Sequence, residues 1–139
     1  MSAYLDASAI LPTLIDESAS AAVDTFLAEC QEPLIISEFA AAEVASALSR
    51  LARTGLLTPQ DAAARLADFD AWRATCADID LKAADVRLAH VFVRRFDLML
   101  RAPDALHAAI CRRESLRLVT CDKRLAHAAD ELGVRVQLL

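Results

Sequence analysis

The chain is expected to fold as an α/β domain, a parallel sheet covered by helices on both faces. Two observations carry this expectation. Short apolar runs, each long enough for only one strand, alternate with segments of helical periodicity along the whole sequence. The helical segments also carry start and stop residues at the right places, so the alternation is punctuated. At 139 residues the length fits one domain spanning residues 1–139, with room for a sizeable core.

In order, residues 2–6 read as a strand and 7–13 as a helical turn or two, which Pro12 bends or ends. Ser18 is the expected cap of a helix over 19–30, with Val23, Phe26 and Leu27 on one stripe. Leu34, Ile35 and Ile36 read as a buried strand. Ser37 then caps a helix to Thr54, and Gly55 stops it. Thr58 caps the next helix, Pro59 occupies its first position and Asp61 its first turn, and it runs to Thr75. Residues 76–79 form a short strand, 81–96 a helix, 97–102 a loop and 103–114 a helix. Residues 117–121 form a strand, 122–132 a helix stopped by Gly133, and 134–136 a last strand.

Composition excludes several classes. The chain is 56% hydrophobic with two glycines, which disfavours disorder. No apolar run approaches the roughly 20 residues of a membrane span, and Asp6 and Asp16 interrupt any signal-like N-terminus, so a cytoplasmic protein is expected. Cys30, Cys76, Cys111 and Cys121 form no C-x-x-C pair and read as reduced core thiols. The net charge of −5 is uneven: residues 1–81 balance at −9 and residues 82–139 at +4. The basic half, with Arg94, Arg95, Arg101, Arg112, Arg113, Lys123 and Arg124, reads either as ordinary solvated helix faces or as a surface for an acidic partner.

Four acids stand out by position. Asp6 follows the first strand in YLDASAIL, Asp122 follows LVTC, and Asp104 lies in the first turn of the helix opened by Pro103. Each suits a helix cap or first turn on its own. Glu43 falls at the margin of the apolar stripe of Ala40, Val44, Leu48 and Leu51. Taken together they point further, because ligands of an open parallel sheet bind at the carboxyl ends of its strands. No lysine or arginine stands in the immediate motif of Asp6, Glu43 or Asp104, and close carboxylates need a cation to stay ionised together. An all-oxygen set suits Mg²⁺ or Mn²⁺. His107 and His127 do not belong in such a set, and His107 reads as a helix-packing residue.

The stretches YLDASAI, AAAEVASAL, PDALHAA and TCDKRLAHAA, in this order, resemble the four signatures of the PIN domain, and more closely those of VapC toxins from bacterial toxin–antitoxin pairs. The resemblance covers the whole chain. It implies a five-stranded parallel sheet and a Mg²⁺- or Mn²⁺-dependent endoribonuclease with Asp6, Glu43, Asp104 and Asp122 as metal-holding acids. Ser8 and Thr120 match its small polar helpers. It also implies a homodimer, an RNA substrate, and a cognate antitoxin whose C-terminal peptide enters the acidic groove. One departure is Glu114-Ser115, where many relatives carry glycine before the fourth strand. The proposed chemistry is metal-assisted hydrolysis of an RNA phosphodiester.

Rival readings have less support. A phosphate-accepting receiver domain needs an acid pair at the first corner and a lysine after the last strand, and neither is present. A haloacid-dehalogenase-like phosphatase needs D-x-D where this chain has D-A-S. The remaining alternative is a non-catalytic PIN-like scaffold that binds RNA or protein.

Overall fold

A computed structural model describes residues 1–139. Five strands, β1 (Ala3–Leu5), β2 (Leu34–Ser37), β3 (Ala77–Ile79), β4 (Arg117–Thr120) and β5 (Val136–Leu138), form one parallel sheet in the order β3-β2-β1-β4-β5. Seven helices connect them: α1 (Ala7–Ile10), α2 (Ser20–Glu29), α3 (Glu38–Arg53), α4 (Pro59–Arg73), α5 (Ala83–Val93), α6 (Ala102–Glu114) and α7 (Lys123–Glu131). The α/β class and the five-stranded parallel sheet are as expected.

Strand alternation sorts side chains into two cores. Ala3, Leu5, Ile36 and Val119 face Ala9 and Ile10 of α1, Phe26 of α2, Phe69 of α4 and the Ala40, Val44, Leu48 stripe of α3. Tyr4 and Leu118 face the other way, toward Ala89 and Phe92 of α5, the alanine-rich face of α6, and Leu125, Ala128 and Ala129 of α7. Small residues on α6 let that helix lie close over the sheet.

The expected caps at Ser37 and Thr58 are present: Ser37 Oγ accepts from the Ala40 N–H at 2.9 Å and Thr58 Oγ1 from the Asp61 N–H at 3.1 Å. Gly55 and Gly133 both take positive φ, at 76° and 78°, as helix stops. Ser18 does not cap α2. Ala19 stands at the N-cap, and Ser20 Oγ instead accepts from the Glu17 N–H and donates to the Pro12 carbonyl, tying the helix start to the preceding turn. The last strand begins two residues later than expected. Val134 is buried in the helical core after Gly133, and its N–H bonds the Ala129 carbonyl, so ladder pairing starts only at Val136 opposite Leu118. The helix expected over 81–96 ends at Val93; a 3-10 turn over Phe96–Leu98 follows, and Met99 takes a left-handed φ of 52°.

Connections leave β1 and β4 in opposite directions along the sheet, one toward β2 and the other toward β5. This switch point opens a crevice at the strand carboxyl ends. No helix is long and apolar enough to cross a membrane. All four cysteines are free thiols, with Cys111 buried and the others half-buried.

Candidate active site

Asp6 follows β1 at the switch point and is 4% exposed. Its conformation is fixed from several sides. Ser8 Oγ donates to the carboxylate at 2.8 and 3.0 Å, Thr120 Oγ1 donates to Oδ2 at 2.8 Å, and the Ala9 N–H reaches Oδ1 at 3.1 Å. Asp6 is therefore both the cap of α1 and a clamped carboxylate. The clamps are themselves held. Ser8 Oγ accepts from the Cys121 N–H at 2.9 Å, and Thr120 Oγ1 from the Asp122 N–H at 3.0 Å. The ends of β1 and β4 are thus stitched together through three polar side chains. Burial pushes the Asp6 carboxyl above its ordinary range, against the pull of His107, Thr120 and Ser8.

Asp104 lies in the first turn of α6, where its charge meets the positive helix end. Burial, then the neighbouring Asp122 and more weakly Glu43, hold its carboxyl above the ordinary range, and Arg101 and His107 oppose them. Asp104 shares one cleft with Asp122 and another with Glu43. Asp122 caps α7, its Oδ1 accepting from the Arg124 and Leu125 N–H groups at 2.8 and 3.1 Å. The expectation that no cation stands by these acids is corrected by Arg101, whose Nε lies 3.8 Å from Asp104 Oδ2 although its side chain is 81% exposed.

Glu43 is differently engaged. Its Oε1 lies 2.5 Å from His107 Nε2, and His107 Nδ1 lies 2.7 Å from the Tyr4 hydroxyl. That hydroxyl is 2.7 Å from Ser37 Oγ, the cap of α3. The chain closes if Ser37 donates to Tyr4, Tyr4 to Nδ1, and Nε2–H to the glutamate. His107 is thus more than the packing residue expected, although its ring does lie against Phe39, centroids 5.1 Å apart. Sequence reasoning missed this relay. The available signal was two polar side chains, Tyr4 and His107, in otherwise apolar buried runs, since buried polar groups need partners.

Asp104 thus shares clefts with Asp122 and with Glu43, and Asp6 is linked to the Asp122 backbone through Thr120 Oγ1. No three acidic, histidine or cysteine side chains converge into a ready-made metal cage. The donor chemistry nonetheless fits a hard cation: the free valences are carboxylate oxygens, and Asp104 is raised in part by the charge of Asp122. A hollow of about 700 Å³ lies elsewhere, between α2 and the β5 edge, and holds none of the four acids.

A parallel β3-β2-β1-β4-β5 sheet with acids at its switch point defines a small α/β domain with an acidic crevice. The PIN domain profile matches residues 3–131, and the chain belongs to that family. It is 32% identical to Ribonuclease VapC46 of Mycobacterium tuberculosis over 136 residues, 96% of this chain and 94% of that protein, which identifies it as VapC-type. The fold is similar to that of Mycobacterium tuberculosis VapC20, described as a toxin cleaving the sarcin–ricin loop, with a TM-score of 0.72 and 17% identity over 91% of this chain and 95% of that one. It is also similar to a chain in a toxin–antitoxin complex from Klebsiella pneumoniae, with a TM-score of 0.65 and 17% identity over 90% of this chain and 91% of that one. At these identities the structural likenesses speak to fold alone.

Proposed function

We propose that this chain is the toxin of a toxin–antitoxin pair, acting as a Mg²⁺- or Mn²⁺-dependent endoribonuclease. The observation that carries the reading is the clamped Asp6 at the switch point, joined through Thr120 Oγ1 to the backbone N–H of Asp122, whose side chain lines one cleft with Asp104. The kinship to a protein named as a ribonuclease supports the substrate class.

Asp6 and Asp104 would hold the ion most directly, with Glu43 and Asp122 acting directly or through water. A bound Mg²⁺ or Mn²⁺ supplies polarisation of a phosphoryl oxygen and a water of lowered pKa. The protein's own part is positional. Ser8 and Thr120 donate their hydroxyl protons to Asp6 and, with the Ala9 N–H, fix the orientation of its carboxylate. His107 holds one oxygen of Glu43 and leaves Oε2 without a protein partner. The N-terminus of α6 offsets part of the charge at Asp104.

The partners proposed with this activity are an RNA substrate, a cognate antitoxin and a second copy of the chain in a homodimer, in the cytoplasm. A non-catalytic scaffold is the second reading, favoured by the engagement of Glu43 with His107 and of Asp122 with its own helix. Titration calorimetry with Mg²⁺ and Mn²⁺ separates them. Millimolar or tighter binding, lost in Asp104→Asn, supports the nuclease; no binding at millimolar ion supports the scaffold.

A further inference from the structure

The four acids of the candidate site are not equally free. At Asp6 both oxygens are engaged: Oδ1 accepts from the Ser8 hydroxyl and the Ala9 N–H, and Oδ2 from Thr120 Oγ1. Asp122 gives Oδ1 to the Arg124 and Leu125 N–H groups, and its Oδ2 has no partner in the chain. Asp104 makes only the 3.8 Å contact to Arg101. Asp6 and Asp122 are held as helix caps, a local arrangement that their places before α1 and α7 favour. Glu43 is different. It lies inside α3, beyond the first turn whose N–H groups need acceptors, so no cap rule supplies its carboxylate with a partner. The partner comes from 64 residues away: His107 Nε2, 2.5 Å from Glu43 Oε1.

The imidazole has little freedom to release that oxygen. An ionised carboxylate only accepts, so Nε2 carries the hydrogen and donates it. On the other side of the ring the Tyr4 hydroxyl lies 2.7 Å from Nδ1, and Ser37 Oγ lies 2.7 Å from that hydroxyl. The ring faces are packed as well, with centroids 5.1 Å from Phe39 and 5.7 Å from Tyr4. His107 is thus pinned at both nitrogens and buried, and it fixes one oxygen of Glu43. Glu43 Oε2 has no partner in the chain. The carboxylate cannot turn both oxygens toward one ligand without breaking the bond to His107.

The consequence falls on the choice of cation. Ca²⁺ gathers about six to eight oxygens and readily takes a carboxylate by both of them, whereas Mg²⁺ demands a near-octahedral shell and keeps several waters in it. Mn²⁺ suits the same octahedral oxygen geometry. We propose that His107 is a positioning residue that selects the ion: by holding Oε1 it limits Glu43 to one oxygen, which suits Mg²⁺ and Mn²⁺ and disfavours Ca²⁺. The inference rests on the metal-dependent nuclease reading and deepens it. Asp122 points the same way, because its cap bonds also leave it a single unpartnered oxygen. At Glu43, however, the restriction is set by a side chain from another helix and can be removed without touching an acid.

The test is titration calorimetry of the full chain with Mg²⁺, Mn²⁺ and Ca²⁺ in turn, without RNA, and the readout is the ratio of the Ca²⁺ Kd to the Mg²⁺ Kd. The wild type is expected to bind Mg²⁺ and Mn²⁺ more tightly than Ca²⁺. His107→Phe frees Glu43 Oε1, and the ratio is expected to fall about tenfold, the lower end of what loss of a ligand's hydrogen-bond partner costs in metal affinity. Tyr4→Phe/His107→Phe, which leaves no unsatisfied hydroxyl, gives the same reading if the single variant does not fold. His107→Gln keeps an N–H donor and is expected to hold the ratio near the wild-type value. In a Glu43→Gln background His107→Phe is expected to leave the ratio unchanged, because no second carboxylate oxygen remains to be freed. A general loosening of the fold weakens all three ions together. Ca²⁺ binding as tight as Mg²⁺ binding in the wild type overturns the proposal, and so does an unchanged ratio in folded His107→Phe. A fall that persists in the Glu43→Gln background overturns it too. The two readings part cleanly. Selective Mg²⁺ binding that depends on His107, without RNA cleavage, keeps the ion selection and removes the nuclease. Cleavage with Mg²⁺ by a chain that binds Ca²⁺ equally well does the reverse, and no ion binding at millimolar concentration removes both.

Discussion

His107 Nε2 lies 2.5 Å from Glu43 Oε1, joining the first half of α6 to the glutamate of α3 across the sheet edge. The imidazole is 3% exposed and the glutamate 31%, so a buried ring steers a carboxylate that solvent still reaches. Through Tyr4 and Ser37 the same ring is tied to the cap of α3, the helix that carries Glu43. Orientation of Glu43 and the start of its helix are thus set by one hydrogen-bonded chain.

Replacing His107 by Phe keeps the ring volume and removes both nitrogens. The buried Tyr4 hydroxyl then loses its acceptor, and the expected cost is about 1–3 kcal/mol of stability in urea unfolding. Tyr4→Phe in the same background restores part of it, because no unsatisfied hydroxyl remains. If His107→Phe is neutral and Tyr4→Phe adds nothing, the relay does not exist as described.

Asp6→Asn is expected to leave the fold intact and to change the pH dependence of stability. Burial holds the Asp6 carboxyl above its ordinary range, so the native state binds its proton more tightly than the unfolded chain does. Stability from this group is greatest at low pH and is lost as pH rises from the ordinary carboxylate range through the raised native value. Melting temperatures in EDTA should therefore fall less for Asp6→Asn than for the wild type over that interval. Parallel curves would contradict the assignment of the shift to Asp6.

Ser115 closes α6 with φ 55° and ψ 40°, its N–H bonded to the Cys111 carbonyl. A left-handed non-glycine residue costs roughly 1–2 kcal/mol, partly recovered by the lower unfolded-state entropy of serine. Ser115→Gly should stabilise the protein by about 0.5–1 kcal/mol in denaturant titration. A loss of stability would mean that the serine side chain contributes something not visible in its contacts.

Asp85, 1% exposed, accepts from the Lys82 N–H and from Arg113 Nε and Nη2 at 2.7 and 3.0 Å, locking α5 to α6. Arg113→Met leaves that carboxylate buried without its partner, and the expected loss is about 3 kcal/mol. Asp85→Asn combined with Arg113→Met should recover part of it, which thermal unfolding of the three variants would show.

Much of this architecture was legible because it rests on local rules. Ser37, Thr58, Pro59 and Gly55 announce their helix ends by chemistry that needs no tertiary context, and the Ala40, Val44, Leu48 stripe names its own buried face. The expectation that Asp6 and Asp122 follow strands rested on the strand–helix alternation, and both do stand directly or nearly so after β1 and β4. What stayed hidden was set by partners distant in sequence. Ser20 rather than Ser18 ties the start of α2, because the Pro12 carbonyl lies within its reach. His107 looked apolar in role because Tyr4 and Glu43 stand 103 and 64 residues away. Charge partition pointed to the C-terminal half, yet Arg95, Arg112 and Arg113 there are engaged by protein acceptors, and which arginines remain free is a property of pairing, invisible in composition.

The most direct test of the central claim is cleavage of a single-stranded RNA by the purified chain, followed by end mapping, with Mg²⁺ or Mn²⁺, with EDTA, and with Asp6→Asn. The account predicts discrete cleavage ends with either ion, none in EDTA, and none from Asp6→Asn while its melting temperature stays at or above that of the wild type. Cleavage that persists undiminished in Asp6→Asn or in EDTA would contradict it.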